Sequence, residues 1–155
     1  MDNRILGDPG TPTFQVEKYP FFLLNRLVAR YNIIIETRLR AIGLDIPYWR
    51  VLMILGERSP RGVRDIADAA VIPLSTMTRI IQRMRDAGLV AVSSGPDDAR
   101  VTLVSLLPLG EAKLKDARTA SAPVYAGVIQ GLSSKDFDRL IGLLGQLHEN
   151  LRDME

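Results

Sequence analysis

A chain of 155 residues, 46% of them hydrophobic, is long enough to bury a core, and its net charge of +2 excludes a uniformly basic protein that coats nucleic acid without selectivity. The absence of cysteine excludes disulfides, thiolate zinc sites and thiol-based redox sensing. A polar N-terminus and the lack of an apolar run of roughly 20 residues predict a cytoplasmic protein without signal peptide or membrane span. A DNA-binding function would therefore require positive charge concentrated on one element.

Two helices are predicted in the first third of the chain, after a flexible N-terminal segment of residues 1–18. That segment is polar and rich in Gly, Pro and Asp, so it offers little for a core. Apolar residues at helical spacing predict a helix over residues 19–42. A second helix is expected over residues 46–56, with Asp45 as its N-cap. Trp49 in this second helix is expected to lie in the core.

The middle of the chain carries a helix-turn-helix pattern. A short apolar helix around Ile66 leads through a tight turn, which ends at Pro73, into a second helix over residues 74–87 that Gly88 terminates. One side of the second helix is an apolar stripe, whereas residues 73–85 contain three arginines and no acid. Its polar face consists of Ser75, Thr76, Thr78, Arg79, Gln82 and Arg83.

This polar face has the chemistry of a DNA-reading surface. Hydroxyl side chains at the helix N-terminus can reach phosphates or base edges near the positive end of the helix dipole. Arg79 and Arg83 lie one turn apart and can address guanine edges or phosphates with a planar guanidinium. The alternative is a solvated helix face with scattered arginines, but the tight turn before the helix and the hairpin after it favour DNA recognition.

The predicted hairpin would form a wing beside that helix. Residues 90–93 and 101–104 alternate as strands do, and the loop between them is rich in turn-forming residues. Arg100 leaves this loop and can reach a minor groove or its phosphates. Asp98 is expected to pair with an arginine and orient it, Arg100 being the nearest candidate. The alternative is an ordinary surface turn with a weak exposed ion pair.

Two helices are predicted in the last third of the chain, over residues 108–130 and 134–152. Ser133 resembles the N-cap of the final helix. Pro123 lies inside the preceding helix, so we expect a bend or a break near Ala122. The first and last predicted helices are apolar over more than a narrow face, which favours burial in an obligate dimer. The alternative is that they pack around their own domain.

Six short runs occur in a fixed order along most of the chain. They are Trp49-Arg50-Val51-Leu52, Asp65-Ile66-Ala67, Ser75-Thr76-Met77-Thr78-Arg79, Gly88-Leu89-Val90, Asp98-Ala99-Arg100 and Pro108-Leu109-Gly110. Together they resemble the MarR family of bacterial transcription regulators, and the Asp-x-Arg run is the most diagnostic. The resemblance implies a homodimeric winged-helix protein that usually represses nearby genes and releases DNA when a small, often aromatic or phenolic, ligand binds.

The resemblance also implies site residues and partners. Its DNA-binding positions fall here on Ser75, Thr76, Thr78, Arg79, Arg83, Asp98 and Arg100. The implied partner is double-stranded DNA with a pseudo-palindromic operator, bound without a cofactor or metal.

The resemblance implies an effector pocket between the dimer helices and the DNA-binding part. Its candidate residues are Tyr31, Trp49, Arg50 and Met53. An aromatic acid needs apolar walls and a cation, which these residues could supply. The favoured alternative for each of the four is an ordinary packing or surface residue, and Arg30 and Arg38 are equal alternatives to Arg50 as carboxylate partner.

We therefore predict a mainly α fold with a small β-hairpin wing. A winged helix-turn-helix over residues 46–106 would be flanked by dimerisation helices over 19–42 and 108–152, within a single unit of residues 19–155. The predicted function is a sequence-specific DNA-binding regulator, with a winged-helix module for protein interaction as the alternative. An enzyme is excluded by the inventory, because the chain has one histidine, no cysteine and no phosphate-cradling Gly-rich loop.

Overall fold

The structure is a computed structural model that describes residues 2–155. The helices are α1 (Pro20–Arg40), α2 (Ile46–Glu57), α3 (Val63–Ala70), α4 (Leu74–Asp86), α5 (Pro108–Val128) and α6 (Ser134–Arg152), and the strands are β1 (Arg61–Gly62), β2 (Val90–Ser94) and β3 (Thr102–Leu106). The predicted mainly α fold with a hairpin wing is confirmed. No helix in residues 2–155 combines the length and hydropathy needed to cross a membrane.

The N-terminal segment contains local structure. Two 3-10 helices, Ile5–Gly7 and Val16–Lys18, precede α1, and the Gln15 N–H donates to the Leu6 carbonyl at 2.8 Å. Side-chain hydrogen bonds from Arg4 lower the pKa of the Asp2 carboxyl to about 2. Residues 2–18 thus contain short hydrogen-bonded turns, and the flexibility of this segment stays a prediction.

A side-chain cap fixes the start of α2. Asp45 is the N-cap, as predicted, and its Oδ1 accepts the Tyr48 N–H at 2.8 Å. The chain reverses just before it at Gly43, where φ is +77°, and the Leu44 N–H donates to the Leu39 carbonyl at 2.9 Å. The Asp45 carboxylate is therefore held at the junction between α1 and α2.

The turn between α3 and α4 is tight and built from backbone hydrogen bonds. Val71 has a φ of +52°, a region that β-branched residues rarely adopt. The N–H groups of Val71 and Ile72 donate to carbonyls of α3 at 3.1 and 3.0 Å, which holds this conformation. Pro73 then occupies the N-cap position of α4.

The core forms where α2, α3 and α4 meet the C-terminal part of α1 and the wing. Its fully buried large side chains are Ile35, Leu39, Val51, Leu52, Leu55, Ile66, Met77, Met84, Val90 and Val104. Trp49 is buried as predicted. Because α4 contributes Met77, Ile80, Ile81 and Met84 to this core, its rotation about its own axis is fixed and its polar face must point outward.

The wing is one part of a three-stranded antiparallel sheet with strand order β1-β3-β2. In the hairpin Val92 pairs with Val104, and on the other edge Gly62 pairs with Leu103. Strand β1 was not predicted, because two residues are too few to show an alternating pattern. Its pairing with β3 joins the segment before α3 to the wing by backbone hydrogen bonds and so restricts the movement of the wing relative to α3.

The start of α5 packs directly against the base of the wing. A Cβ on Gly110 would lie 2.1 Å from the Leu89 carbonyl oxygen, so only glycine allows this approach. Farther along, α5 continues through Pro123 to Val128, so of the two expected outcomes near Ala122, a bend or a break, the break does not occur. Proline removes one N–H donor, but helical hydrogen bonding resumes, as in the Ile129 N–H bond to the Tyr125 carbonyl at 3.1 Å.

Contacts within the chain divide it into two compact units, one up to Ser121 and one from Ala122 to Glu155. The sequence pattern had predicted one unit over residues 19–155. The first unit contains the core and the sheet. The second contains α6, which buries no residue. Ser133 caps α6 as predicted, its Oγ accepting the Asp136 N–H at 3.1 Å.

Candidate DNA-binding face

The polar face of α4 is exposed along most of its length. Ser75, Thr76, Arg79, Gln82 and Arg83 are exposed, and Thr78 is half-buried. The apolar stripe on the other side of α4 holds these residues in place from beneath. The structure therefore gathers the predicted recognition residues on one surface.

Thr78 is already engaged within its own helix. Its hydroxyl donates to the Leu74 carbonyl at 2.8 Å, which uses the side-chain hydrogen. The oxygen keeps acceptor capacity and the methyl group stays available for apolar contact. This residue is suited to contacting a base methyl group or an amino group rather than donating to phosphate.

The arginines on α4 differ in their surroundings. Arg79 forms no ion pair or side-chain hydrogen bond with any residue of the described range 2–155. Arg83 lies 3.6 Å from Asp45, measured from Nη2 to Oδ2, and its guanidinium carbon lies 5.2 Å from the centroid of the Tyr48 ring. Arg85 pairs with the adjacent Asp86 at 3.3 Å.

Sequence reasoning missed the contacts of Arg83. It treated Arg79 and Arg83 as equivalent readers, and it interpreted Asp45 only as a helix cap. The two partners of Arg83 lie 35 and 38 positions earlier in the chain, so periodicity within α4 carries no signal of them.

The wing presents Arg100 at its tip. The expected pair with Asp98 is present, with Arg100 Nε 3.8 Å from Oδ1, but 94% of the Arg100 side chain is exposed. The stronger contact is to the backbone, since the same Oδ1 accepts the Arg100 N–H at 3.0 Å. Gly95 closes the loop through its N–H bond to the Val101 carbonyl at 2.8 Å. Asp98 therefore shapes the loop from which Arg100 projects.

The candidate effector residues lie on α1 and α2. Trp49 is buried, and its Nε1–H lacks a hydrogen-bond partner in the described structure. Tyr31 and Arg50 are half-buried and Met53 is exposed. The alternatives to Arg50, Arg30 and Arg38, are both exposed.

A cavity of about 370 Å³ lies elsewhere in the first unit, between the C-terminal end of α2, the loop that follows it and α5. It is lined by Leu55, Gly56, Glu57, Arg58, Ser59, Leu106, Glu111, Leu114, Lys115 and Arg118. None of the four candidate effector residues lines it. Its lining mixes apolar, basic and acidic side chains, with no excess of one charge large enough to define a ligand.

The order of these elements defines the class of protein. A short helix, a tight turn, a second helix with an exposed basic face and an antiparallel hairpin form a winged helix-turn-helix.

Comparison with known proteins narrows this class to one family. The MarR family model matches residues 42–101. The HTH-type transcriptional repressor IacR of Pseudomonas putida is 33% identical over 147 residues, covering 95% of this chain and 88% of that protein. The chain therefore belongs to the MarR family.

Solved structures agree with this assignment. A probable transcriptional regulator from Pseudomonas aeruginosa matches with a TM-score of 0.74 and 28% identity, covering 86% of this chain and 99% of that chain. BpsR of Bordetella bronchiseptica, whose DNA binding is regulated by 6-hydroxynicotinic acid, matches with a TM-score of 0.71 and 25% identity, covering 81% of this chain and 96% of that chain.

Proposed function

We propose that this chain is a sequence-specific DNA-binding repressor in which α4 reads the major groove. The observation that carries the proposal is the two-sided character of α4. Its apolar side is buried, which fixes the helix, and its other side exposes hydroxyls and Arg79, which forms no ion pair with a described residue. An α-helix of this kind fits the major groove, where a guanidinium can address guanine O6 and N7 together.

The wing supplies the second contact with DNA in this proposal. Arg100 is almost fully exposed at the tip of a loop that Asp98 and Gly95 hold in shape. A cation projecting from a wing can enter a neighbouring minor groove or bind its phosphates. Because such a contact is mainly electrostatic, Arg100 would contribute to affinity more than to the choice of sequence.

A homodimer would bring two α4 helices to one operator. On α1 the exposed apolar residues are Phe21, Leu23, Leu27, Val28, Ile33 and Ile34, and on α6 they are Leu140, Ile141, Leu143, Leu144, Leu147 and Leu151. Exposed apolar area of this extent favours burial against another copy. Two-fold symmetry would place the two α4 helices about 34 Å apart, which matches a pseudo-palindromic site.

A small ligand would regulate this dimer by shifting its population away from the DNA-competent spacing. Support comes from Trp49, whose buried Nε1–H has no hydrogen-bond partner among the described residues and would be satisfied by a ligand acceptor. Tyr31 and Met53 would supply further walls of this pocket. Arg50, or in its place Arg30 or Arg38, would pair with a ligand carboxylate. The regulation of BpsR by 6-hydroxynicotinic acid is a precedent in a relative for a small aromatic effector.

Fluorescence anisotropy of a labelled duplex from upstream of the protein's own gene tests this function. The titration is run across a salt series with mixed-sequence DNA as competitor. We expect tight binding that falls with salt and resists the competitor. The proposal would be contradicted if the protein bound the upstream duplex as weakly as the mixed-sequence DNA and also bound no more tightly to duplexes that it selects from a random library. That result would favour a protein-binding module.

A further inference from the structure

One carboxylate connects the start of α2 to the recognition helix. Oδ1 of Asp45 accepts the Tyr48 N–H at 2.8 Å and so caps α2. Oδ2 of the same group faces Arg83 of α4, with 3.6 Å between it and Nη2. The Tyr48 ring then contacts the guanidinium of Arg83, whose carbon is 5.2 Å from the ring centroid. The Arg83 guanidinium thus contacts both a carboxylate and an aromatic ring.

This arrangement distinguishes Arg83 from the other arginines of α4. Arg85 pairs only with its sequence neighbour Asp86, and that pair does not connect α4 to another element. Arg79 has no ion pair among the described residues. Among the described residues, Arg83 is therefore the α4 arginine whose guanidinium contacts another element of the fold.

We infer that Asp45 is a specificity-determining residue of the DNA face, because it positions Arg83 and offsets its charge. This inference rests on the proposed DNA-binding function. An unpaired arginine can turn toward any nearby phosphate and so strengthens binding to all sequences. A guanidinium that is already oriented loses less conformational freedom when it forms a bidentate contact with a base.

The Asp45→Asn variant separates the two roles of this carboxylate. The amide oxygen can still accept the Tyr48 N–H and cap α2, whereas the negative charge beside Arg83 is lost. Affinity is measured for a mixed-sequence duplex and for the duplex that the wild-type protein enriches from a random library. We expect affinity for the mixed-sequence duplex to rise, the slope of log K against log salt to steepen by about 0.9, and the ratio of specific to nonspecific affinity to fall about 3- to 10-fold.

Further variants define the cause of any change. Asp116→Asn removes the same charge from an exposed position on α5 that makes no ion pair with a described residue, and it should leave the ratio unchanged. Tyr48→Leu removes the ring and should lower the ratio, whereas Tyr48→Phe keeps the ring and should not. On an Arg83→Gln background, Asp45→Asn should have no further effect on the ratio.

The possible outcomes separate this inference from the proposed function. An unchanged ratio in a folded Asp45→Asn protein would overturn the inference alone. If that variant is unfolded, Asp45→Ser, which retains an N-cap oxygen, replaces it in the same comparison. If the wild-type protein binds no duplex, the proposed function fails and the inference fails with it.

Discussion

Helices α4 and α6 have similar amphipathic patterns but opposite surroundings. Met77 and Met84 on the apolar stripe of α4 are 0% exposed, whereas Ile141 on the stripe of α6 is 52% exposed and Leu144 is 38% exposed. A period of 3.6 residues thus shows that a stripe exists but not what covers it. The stripe of α4 is covered by its own chain, and in our proposal the stripe of α6 is covered by a second copy.

This difference has a thermodynamic consequence. Burial within one chain stabilises the fold at any protein concentration. Burial between two chains stabilises it by mass action, so its contribution depends on concentration. Substitutions in the two helices should therefore be distinguishable by experiment.

The largest effect is expected from Leu144→Glu in α6. It places a charge on the proposed interface, and two-fold symmetry repeats that charge in the partner copy. A cost of about 2 kcal/mol for each unpaired charge would weaken self-association by roughly a factor of a thousand. Sedimentation velocity over a dilution series measures it, and Gln146→Glu on the polar side of α6 is the control with the same added charge. Equal self-association of Leu144→Glu and wild type would contradict the role given to α6.

The next largest effect is expected from Met77→Ala in α4. Truncating a fully buried methionine should lower the free energy of unfolding by about 2–5 kcal/mol, because it removes apolar contacts and leaves a cavity. Chemical denaturation at two protein concentrations should give the same loss. Gln82→Ala, at an exposed position on the same helix, should change stability by no more than about 0.5 kcal/mol. If the loss of unfolding free energy in Met77→Ala varied with protein concentration, the Met77 side chain would not be covered by residues of the same chain.

A smaller effect is expected from Arg79→Ala on the exposed face of α4. If Arg79 reads a base, its removal should cost about 1–3 kcal/mol of binding and relax specificity at one operator position. Competition titrations with single-base variants of the operator measure both changes. A uniform loss across all variants would instead assign Arg79 to a phosphate.

The smallest effect is expected from Arg100→Ala in the wing. Loss of one phosphate contact should weaken binding to all sequences and reduce the salt slope by about one. Anisotropy at several salt concentrations gives the slope. A change in sequence preference with an unchanged slope would show that Arg100 reads bases rather than phosphates.

Local chemistry made much of the fold predictable. Asp45 and Ser133 mark helix starts because a side-chain oxygen next to free N–H groups is a local interaction. The stripe of α4 and the alternation in β2 and β3 likewise depend only on near neighbours. Strand β1 could not be recognised, because its pairing with β3 spans some 40 positions and involves two residues.

Two further features lay outside the reach of sequence patterns. Pro123 predicted a bend or a break, and the helix does not break there, since the remaining hydrogen bonds of α5 outweigh the loss of one donor. At the candidate site, the exposure of Arg79 followed from helical spacing. The contacts of Arg83 with Asp45 and Tyr48 depend on tertiary packing and could not be predicted.

Hydroxyl-radical footprinting on the selected operator tests most directly whether a dimer presents two α4 helices to DNA. We expect two protected segments on the same face of the duplex, with centres about one helical turn, roughly 10 base pairs, apart. Leu144→Glu should lose the paired pattern at concentrations where Gln146→Glu retains it. A single protected segment for the wild-type protein, or uniform weak protection along the duplex, would contradict the dimeric DNA-binding function.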